Sequence, residues 1–282
     1  MLYLIGLGLG DCRDISVRGL EVVRRSARVY LECYTSIMFV SKEELEKFYG
    51  RSLILADREL VEQGVGEVLE LAMTQEVAFL VAGDPLAATT HSDLILRAQK
   101  KGVEYRVFHN ASIISAVACS GLQLYRFGET VSIVMWTDDW QPDSFADKIE
   151  NNLSRGLHTL CLLDIKVKEQ TVENMMRGNK VFEPPRYQSV SEAAAILLSI
   201  VQRRQEQGCS YLLKNDSLSI ALARVGSETQ QIVSCTLSQL ATADLGPPLH
   251  CLVIPAGMHH MEEDMVKCFA LKQQPHPIKN IQ

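Results

Sequence analysis

Residues 1–11 read Met1-Leu-Tyr-Leu-Ile-Gly-Leu-Gly-Leu-Gly-Asp11, a short apolar run that ends in three alternating glycines and an acid. A run of this length, followed by residues that tolerate positive φ and let a ligand approach the backbone, is typical of a buried strand with a ligand-facing loop. We therefore predict that the chain opens into a nucleotide-type pocket.

The three glycines of this stretch, Gly6, Gly8 and Gly10, are spaced G-x-G-x-G. A Rossmann loop for NAD has the spacing G-x-G-x-x-G, in which the last glycine packs a helix beneath the pyrophosphate. The spacing here is one residue too short, although Glu32 lies about twenty residues further on, where that motif carries its ribose-binding acid. From the spacing alone, an NAD site, another small-molecule pocket and a purely structural turn are all open.

The composition indicates an ordinary globular protein that does not bind nucleic acid. Its 282 residues are 47% hydrophobic, enough for the cores of two domains of moderate size. The formal net charge of -6 lacks the basic excess that nucleic-acid binding needs. Asp11 and Arg13 interrupt the first apolar run, and nowhere do about eighteen apolar residues run together, so we expect neither a signal peptide nor a membrane span.

The cysteines predict a cytoplasmic protein, because all eight are scattered with no C-x-x-C pair, as suits a reducing compartment. The tightest metal-like cluster is His250, Cys251, His259 and His260. Adjacent residues on a strand point to opposite faces and cannot readily share one ion. We therefore predict no metal site.

Apolar runs and amphipathic patterns alternate along the amino-terminal half, which predicts a mostly parallel sheet with helices on its faces. The predicted strands are residues 2–7, 27–31, 52–55, 77–82 and 105–108, and the predicted helices are 17–25, 41–49, 60–73 and 92–101. Ser41 and Glu44 can form a capping box, and Gly50 can end the helix that it opens.

A second series follows the small residues 116–121. Its predicted strands are 131–135, 159–163, 219–223 and 251–254, and its helices are 144–153, 190–204 and 261–269. We therefore predict an α/β protein of two domains with mostly parallel sheets, residues 1–120 and 121–270, and a flexible tail at 271–282. Two such domains leave a cleft between them, a common position for a small-molecule site.

The second predicted loop reads Gly83-Asp-Pro-Leu-Ala-Ala-Thr-Thr-His91 and follows the predicted strand 77–82. Its small residues allow a ligand to come close, and Asp84 lies just beyond a strand end, where open parallel sheets bind ligands. Taken alone, the loop is equally well explained as a simple turn. It follows the same edge of the sheet as the first loop, which favours a shared binding site.

Six segments together resemble one family of enzymes. They are residues 1–11, Gly83-Asp-Pro85 to Thr89-Thr-His-Ser-Asp93, His109-Asn-Ala-Ser-Ile113, Leu160-Cys-Leu-Leu-Asp-Ile-Lys-Val-Lys-Glu169, Glu183-Pro-Pro-Arg-Tyr187 and Leu222-Ala-Arg-Val-Gly226. In order and content they resemble the eukaryotic diphthine synthases, which belong to the tetrapyrrole-methylase-like, or class III, S-adenosylmethionine-dependent methyltransferases. The resemblance implies two α/β domains, S-adenosylmethionine in the cleft between them, and a homodimer.

The resemblance also implies which residues contact the cofactor. Carried over by position, they are Leu9, Asp84, Ala87, Ser112, Ile113, Leu163, Val225 and His250. Ala87 stands where the family is expected to carry glycine, so its methyl group narrows the loop or demands negative φ.

The activity implied by the resemblance is repeated methylation of elongation factor 2. The acceptor is a histidine extended by a 3-amino-3-carboxypropyl group, whose amine becomes trimethylammonium and whose carboxylate becomes a methyl ester, with S-adenosylhomocysteine as product. Such transfer depends on proximity and orientation, so it requires no metal and no catalytic side chain of its own. The alternatives are a tetrapyrrole methyltransferase of the same fold, an NAD-linked oxidoreductase and a non-catalytic binding module.

Both tryptophans of the chain, Trp136 and Trp140, follow a predicted strand. An indole face attracts quaternary ammonium groups, so either ring could receive the trimethylammonium product. The alternative is that both rings anchor a loop to the core.

Overall fold

The computed structural model describes residues 1–169, 174, 176, 177 and 181–271. Its strands are β1 Leu2–Gly6, β2 Arg28–Glu32, β3 Ile54–Ala56, β4 Val77–Val81, β5 Tyr105–Phe108, β6 Val131–Ile133, β7 Thr159–Leu163, β8 Ile165–Lys166, β9 Arg186–Tyr187, β10 Leu218–Ala223, β11 Gln231–Thr236 and β12 His250–Ile254. Its α-helices are α1 Val17–Arg25, α2 Lys42–Tyr49, α3 Val65–Thr74, α4 Ser92–Lys100, α5 Ile113–Ala116, α6 Ser144–Ser154, α7 Val190–Glu206, α8 Leu237–Leu240 and α9 His260–Cys268. The predicted tail lies outside the described residues, apart from Leu271.

The first sheet confirms the predicted α/β architecture of the amino-terminal half. Its strand order is β3-β2-β4-β1-β5, and every neighbouring pair is parallel. All five residues of β1 and of β4 are buried, as expected for central strands covered by helices on both faces. The predicted boundaries of β5 and α1 match the structure.

The second sheet is mixed, which corrects the prediction of mostly parallel strands for this half. Its order is β11-β10-β12-β7-β6, in which only β6 and β7 are parallel neighbours. The sequence analysis missed β11, which returns directly after β10. Because the connection between these two strands is short, they must pair antiparallel, whereas a parallel pair needs a long crossover.

Local capping chemistry behaves as predicted in the helix α2. The Ser41 hydroxyl accepts from the Glu44 N–H, and the Glu44 carboxylate accepts from the Ser41 N–H. Gly50 ends the helix in the left-handed region with φ 70°. In the described part of the chain, no helix is long and apolar enough to cross a membrane.

A separate apolar cluster joins the two halves. Val117 and Leu122 pack with Leu160 and Leu222 of the second sheet, and Leu9 of the first loop packs against the same cluster. The boundary at residue 120 stays a proposal, and it falls within the segment between β5 and β6. This cluster is what holds the first loop against the carboxyl-terminal half.

Candidate functional site

The glycine loop and the Gly-Asp-Pro loop meet at the carboxyl edge of the first sheet. They follow the adjacent parallel strands β1 and β4, whose ends lie side by side. The Gly83 N–H donates to the Gly8 carbonyl oxygen at 2.8 Å, and the Gly8 N–H donates to the Gly83 carbonyl oxygen at 3.2 Å. The two loops that the sequence analysis singled out therefore form one structural unit.

The glycines of the first loop allow close approach between backbone segments. A Cβ atom at Gly6 would lie 2.6 Å from the Gly83 carbonyl oxygen. A Cβ atom at Gly10 would lie 2.5 Å from the carbonyl oxygen of Gly226, in the loop after β10. Both distances are too short for real atoms, so Gly10 is what lets the first loop contact the carboxyl-terminal half. The G-x-G-x-G spacing thus places glycine at Gly6 and Gly10, two positions where backbone contact leaves no room for a Cβ atom.

Asp84 is buried and organises the loops around it. Its Oδ1 accepts from the Leu86 N–H at 2.9 Å, and its Oδ2 accepts from His109 Nδ1 at 2.8 Å and the Asn110 N–H at 3.0 Å. Burial by itself raises the pKa of the Asp84 carboxyl, but these three donors outweigh it and hold the pKa below its usual value. The carboxylate is ionised and already has three partners, so it acts on a ligand chiefly by fixing the loop.

The loop departs from ideal backbone geometry at Ala88, one residue after the position that the sequence analysis questioned. Ala88 has φ 57°, in the left-handed region that disfavours a side chain. The Ala87 N–H closes a turn onto the Asp84 carbonyl oxygen at 3.3 Å. The methyl group at Ala87 is therefore accommodated, and the conformational demand falls on its neighbour.

His250 opens β12 and uses both ring nitrogens within the protein. Its Nδ1 accepts from the Val190 N–H at 3.3 Å, and its Nε2 lies 3.0 Å from the Pro247 carbonyl oxygen, to which it donates as the neutral ring. Burial holds the pKa of the imidazole below its ordinary value. His250 can therefore contact a ligand through its ring surface, while its nitrogens anchor α7 and the preceding loop.

Arg224 is a positioning residue that the sequence analysis missed. Its buried guanidinium donates to the carbonyl oxygens of Leu245 at 2.7 Å, Pro247 at 2.6 Å and Thr229 at 3.1 Å. Its backbone φ is 51°. The arginine thereby ties the loop after β10 to the loop before β12. Arg224 lies in Leu222-Ala-Arg-Val-Gly226, one of the six segments that resemble the family, and this position could have identified it from the sequence.

A cavity of about 400 Å³ lies between the two sheets and brings all eight predicted residues together. Leu9, Asp84, Ala87, Ser112 and Ile113 line it from the amino-terminal half, and Leu163, Val225 and His250 from the carboxyl-terminal half. The Ser112 hydroxyl has no hydrogen-bond partner within the described ranges and is available to a ligand. The predicted cleft is therefore present.

The cavity extends beyond the predicted residues to a second wall that the sequence analysis missed. This wall comes from the loops after β2 and β3 and from the segments around β8 and β9, and its residues include Tyr34, Thr35, Phe39, Arg58, Asp164, Tyr187 and Gln188. None of them belongs to a glycine motif, so only the tertiary structure brings them to the cavity.

Glu32 does not act as the ribose-binding acid that an NAD site would need. It is buried, and its Oε1 accepts from the backbone N–H groups of Tyr34 and Thr35, both at 2.6 Å. Its Oε2 accepts from the Thr35 hydroxyl at 2.7 Å. Burial raises the pKa of this carboxyl against the effect of these donors. The structure thus gives Glu32 a loop-ordering role and removes the main support for NAD.

The tryptophans lie outside the cavity lining, and the structure gives Trp136 the anchoring role. The Trp136 ring packs against the carboxyl-terminal core, donates from Nε1 to the Pro142 carbonyl oxygen at 2.9 Å, and has Arg203 over its face at 5.5 Å. Trp140 is 54% exposed. Besides the His250 imidazole, the aromatic rings that line the cavity in the described part of the chain are Tyr34, Phe39 and Tyr187.

Comparison with known proteins assigns this architecture. The sequence model of the Tetrapyrrole (Corrin/Porphyrin) Methylases matches residues 1–241. The chain belongs to the tetrapyrrole methylase family. Like this family, it is an S-adenosylmethionine-dependent methyltransferase, as the sequence analysis predicted.

Individual members of the family resemble the chain over nearly its whole length. It is 60% identical to the mouse diphthine methyl ester synthase over 97% of this chain and 98% of the mouse protein. It is 59% identical to the human enzyme of the same name, over 97% and 96% of the two chains. A crystal structure of diphthine synthase has a TM-score of 0.81 and 33% identity, covering 95% of each chain. The predicted family and fold are confirmed.

The cavity fits S-adenosylmethionine in size and chemistry. Its volume of about 400 Å³ lies within the range of small-molecule sites. Leu9, Ile113, Leu163 and Val225 offer apolar surface, and Ser112 offers a free hydroxyl. Within the described ranges no group of three or more His, Cys, Asp or Glu side chains could hold a metal ion. Metal-free transfer stays a prediction.

Proposed function

We propose that the chain transfers methyl groups from S-adenosylmethionine to elongation factor 2, as a diphthine methyl ester synthase. The acceptor is the histidine that carries a 3-amino-3-carboxypropyl group, methylated at its amine three times and at its carboxylate once. The observation that carries this proposal is the near full-length identity of 60% to an enzyme with that name. Both halves of the matched chain contribute to one cavity, as a cofactor site between two α/β domains requires.

The proposed cofactor contacts are Leu9, Asp84, Ala87, Ser112, Ile113, Leu163, Val225 and His250. When bound, S-adenosylmethionine supplies a methyl group that its sulfonium already activates. The protein therefore needs to align the acceptor, exclude water and accommodate a change of charge. Apolar side chains from both halves exclude water, the Ser112 hydroxyl donates a hydrogen bond, and Asp84 keeps the Gly-Asp-Pro loop in shape.

No covalent nucleophile is needed for this reaction, because an amine or a carboxylate on the acceptor is itself the nucleophile. The amine must reach the site without its proton, which passes to solvent or to a nearby carboxylate before each transfer. Asp84 is a poor recipient because three donors already occupy its oxygens. The protein thus contributes chiefly binding and orientation.

The decisive experiment uses purified protein, S-adenosylmethionine and elongation factor 2 that carries the unmethylated 3-amino-3-carboxypropyl histidine. Mass spectrometry of the modified peptide is expected to show successive gains of one methyl mass. Elongation factor 2 with an unmodified histidine is the control and should gain none. Intact cofactor binding with no methylation of the modified factor would refute this acceptor and leave a tetrapyrrole acceptor as the candidate.

We also propose that the enzyme works in the cytoplasm as a homodimer. Support for a dimer comes from an exposed apolar group formed by Leu124, Tyr125, Met261 and Met265, in which Tyr125 is 83% exposed. The Gln123 N–H donates to Glu262 of α9 at 2.8 Å, which brings the segment that contains Leu124 and Tyr125 next to α9. Sedimentation analysis should show a dimer, and Tyr125→Glu should shift it towards the monomer. A monomeric wild-type protein would contradict the proposal.

A further inference from the structure

The second wall of the cavity contains two polar side chains that act together. Asp164 follows β7 directly, and Gln188 follows β9. The Gln188 N–H donates to the Asp164 carbonyl oxygen at 2.9 Å, and the Asp164 N–H donates to Gln188 Oε1 at 3.0 Å. Both residues line the cavity, so this double link holds the Gln188 side chain and the Asp164 backbone together at its wall.

Gln188 has an unused hydrogen-bond donor there. The residue is only 2% exposed, and its Nε2 has no partner within the described ranges. A backbone N–H requires an acceptor, so the bond from Asp164 fixes the amide with Oε1 towards Asp164 and Nε2 away from it. A buried donor without a partner is costly, which points to a ligand that completes it.

Asp164 has an unused acceptor. Its Oδ2 accepts from the Met135 N–H at 3.1 Å, and no ion pair in the described part of the chain neutralises the carboxylate. Asp84, the other carboxylate of the cavity lining in the described part of the chain, differs because both of its oxygens accept from protein donors, three in all. Two linked residues of the cavity lining therefore carry a carboxylate and an unpartnered N–H donor.

A carboxylate beside an amide donor is complementary to an α-amino-acid head group, in which an ammonium lies next to a carboxylate. We infer that Asp164 binds the amine and Gln188 the carboxylate of the 3-amino-3-carboxypropyl acceptor. This inference rests on the proposed function. The methionyl end of the cofactor also carries an ammonium next to a carboxylate. The position of Asp164 and Gln188 therefore decides whether they bind the acceptor or the cofactor.

The position of the pair favours the acceptor. In the first sheet, the predicted cofactor residues follow β1, β4 and β5, at one side of the order β3-β2-β4-β1-β5. The second wall follows β2 and β3, at the other side. The segment after β8 is tied to that side, because Lys168 forms an ion pair with Asp57, just after β3. Asp164 and Gln188 flank this β8–β9 pair, and Asp164 directly follows the proposed cofactor contact Leu163, so the pair lies where the second wall meets the cofactor contacts, as an acceptor beside the methyl group must.

Asp164 would also assist each amine transfer. A C–S bond breaks, the sulfur keeps its electron pair, and an N–C bond forms from the lone pair of the amine. The positive charge therefore passes from sulfur to the acceptor nitrogen. A carboxylate beside that nitrogen stabilises the charge where it develops. It can also take the proton that the amine must lose before the next transfer and pass it to water.

The test compares wild type with Asp164→Asn, which keeps an acceptor for Met135, and with Gln188→Glu, which keeps the acceptor for Asp164. Asp138→Asn, at an exposed residue outside the cavity lining, is the matched control. The first readout is the affinity of the S-adenosylhomocysteine-loaded protein for elongation factor 2 with the modified histidine, relative to the unmodified factor. Both cavity variants should reduce this ratio by about tenfold or more, and Asp138→Asn should leave it unchanged.

The second readout separates acceptor from cofactor. Calorimetry with S-adenosylhomocysteine and with methylthioadenosine, which lacks the amino-acid end, should give wild-type affinities in both cavity variants. If the variants lose affinity for S-adenosylhomocysteine alone, the pair binds the cofactor and the inference is wrong. It is equally wrong if wild type methylates the factor and the variants match it in acceptor affinity and methyl count. If wild type itself methylates no elongation factor, the proposed function fails and the inference falls with it.

Discussion

Replacing Gly10 by alanine tests whether contact between the two halves shapes the site. The new Cβ atom would lie 2.5 Å from the Gly226 carbonyl oxygen, whereas ordinary van der Waals contact begins at 3.4 Å. The two loops must therefore move apart by up to the difference, 0.9 Å. Forcing an extra carbon into a packed contact costs roughly 1–3 kcal/mol.

The control for this change is Gly257→Ala, because nothing lies within 4 Å of a Cβ atom at that exposed position. Each alanine stabilises the protein by about 0.4–1 kcal/mol through the unfolded chain, and this contribution cancels in the comparison. The free energy of unfolding of Gly10→Ala should therefore lie about 1–3 kcal/mol below that of Gly257→Ala. Urea denaturation followed by circular dichroism measures the difference.

The affinity of Gly10→Ala for the cofactor should fall together with its free energy of unfolding. Gly10 adjoins Leu9, and Gly226 adjoins Val225, so separation of these loops moves two cavity-lining residues apart. We expect the affinity for S-adenosylhomocysteine to fall by about tenfold in Gly10→Ala and to stay at the wild-type value in Gly257→Ala. Equal unfolding free energies and equal affinities for the two variants would refute the reasoning that loop contact builds the site.

Three other predictions follow from individual side chains. Asp84→Asn leaves at least one of the three donors to this side chain without an acceptor, so the free energy of unfolding in urea denaturation should fall by about 1–3 kcal/mol. The cofactor affinity measured by calorimetry should fall as well. Burial holds the pKa of His91, His158 and His250 below the ordinary value, so the folded chain binds fewer protons than the unfolded chain below about pH 6.5. Stability should therefore decline as pH is lowered from 7.5 to 5.5, with a slope of up to about 1.4 kcal/mol per pH unit for each histidine in urea denaturation. Trp136→Phe removes the hydrogen bond to Pro142, so stability should fall by about 1 kcal/mol while the distribution of methylated products is unchanged by mass spectrometry.

Each of these predictions has a result that would contradict it. Asp84→Asn with wild-type cofactor affinity would show that the loop keeps its shape without the carboxylate. A pH-independent free energy of unfolding would mean that the three imidazoles protonate equally well in the folded chain. An altered set of methylated products in Trp136→Phe would indicate that the Trp136 indole does contact the acceptor.

The sequence alone determined those features that depend on local pattern. Buried parallel strands produce continuous apolar runs, so β1 and β4 could be located to within a residue. The Ser41 capping box depends on side chains three residues apart, and it forms as predicted. Seven of the eight proposed cofactor positions could be named because they lie in segments that resemble a known family, and His250 was carried over from the same resemblance outside those segments.

Only the tertiary structure decided the features that depend on which segments meet. The mixed sense of the second sheet depends on its antiparallel pairs β10–β11, β10–β12 and β12–β7, and β11, with its mixed polar and apolar residues, gave no clear strand signal. The use of Asp84 and His250 as loop anchors depends on backbone groups that come near only in the folded chain. Asp164 and Gln188 are 24 positions apart in the sequence. A contact over that separation produces no local sequence pattern from which it could be predicted.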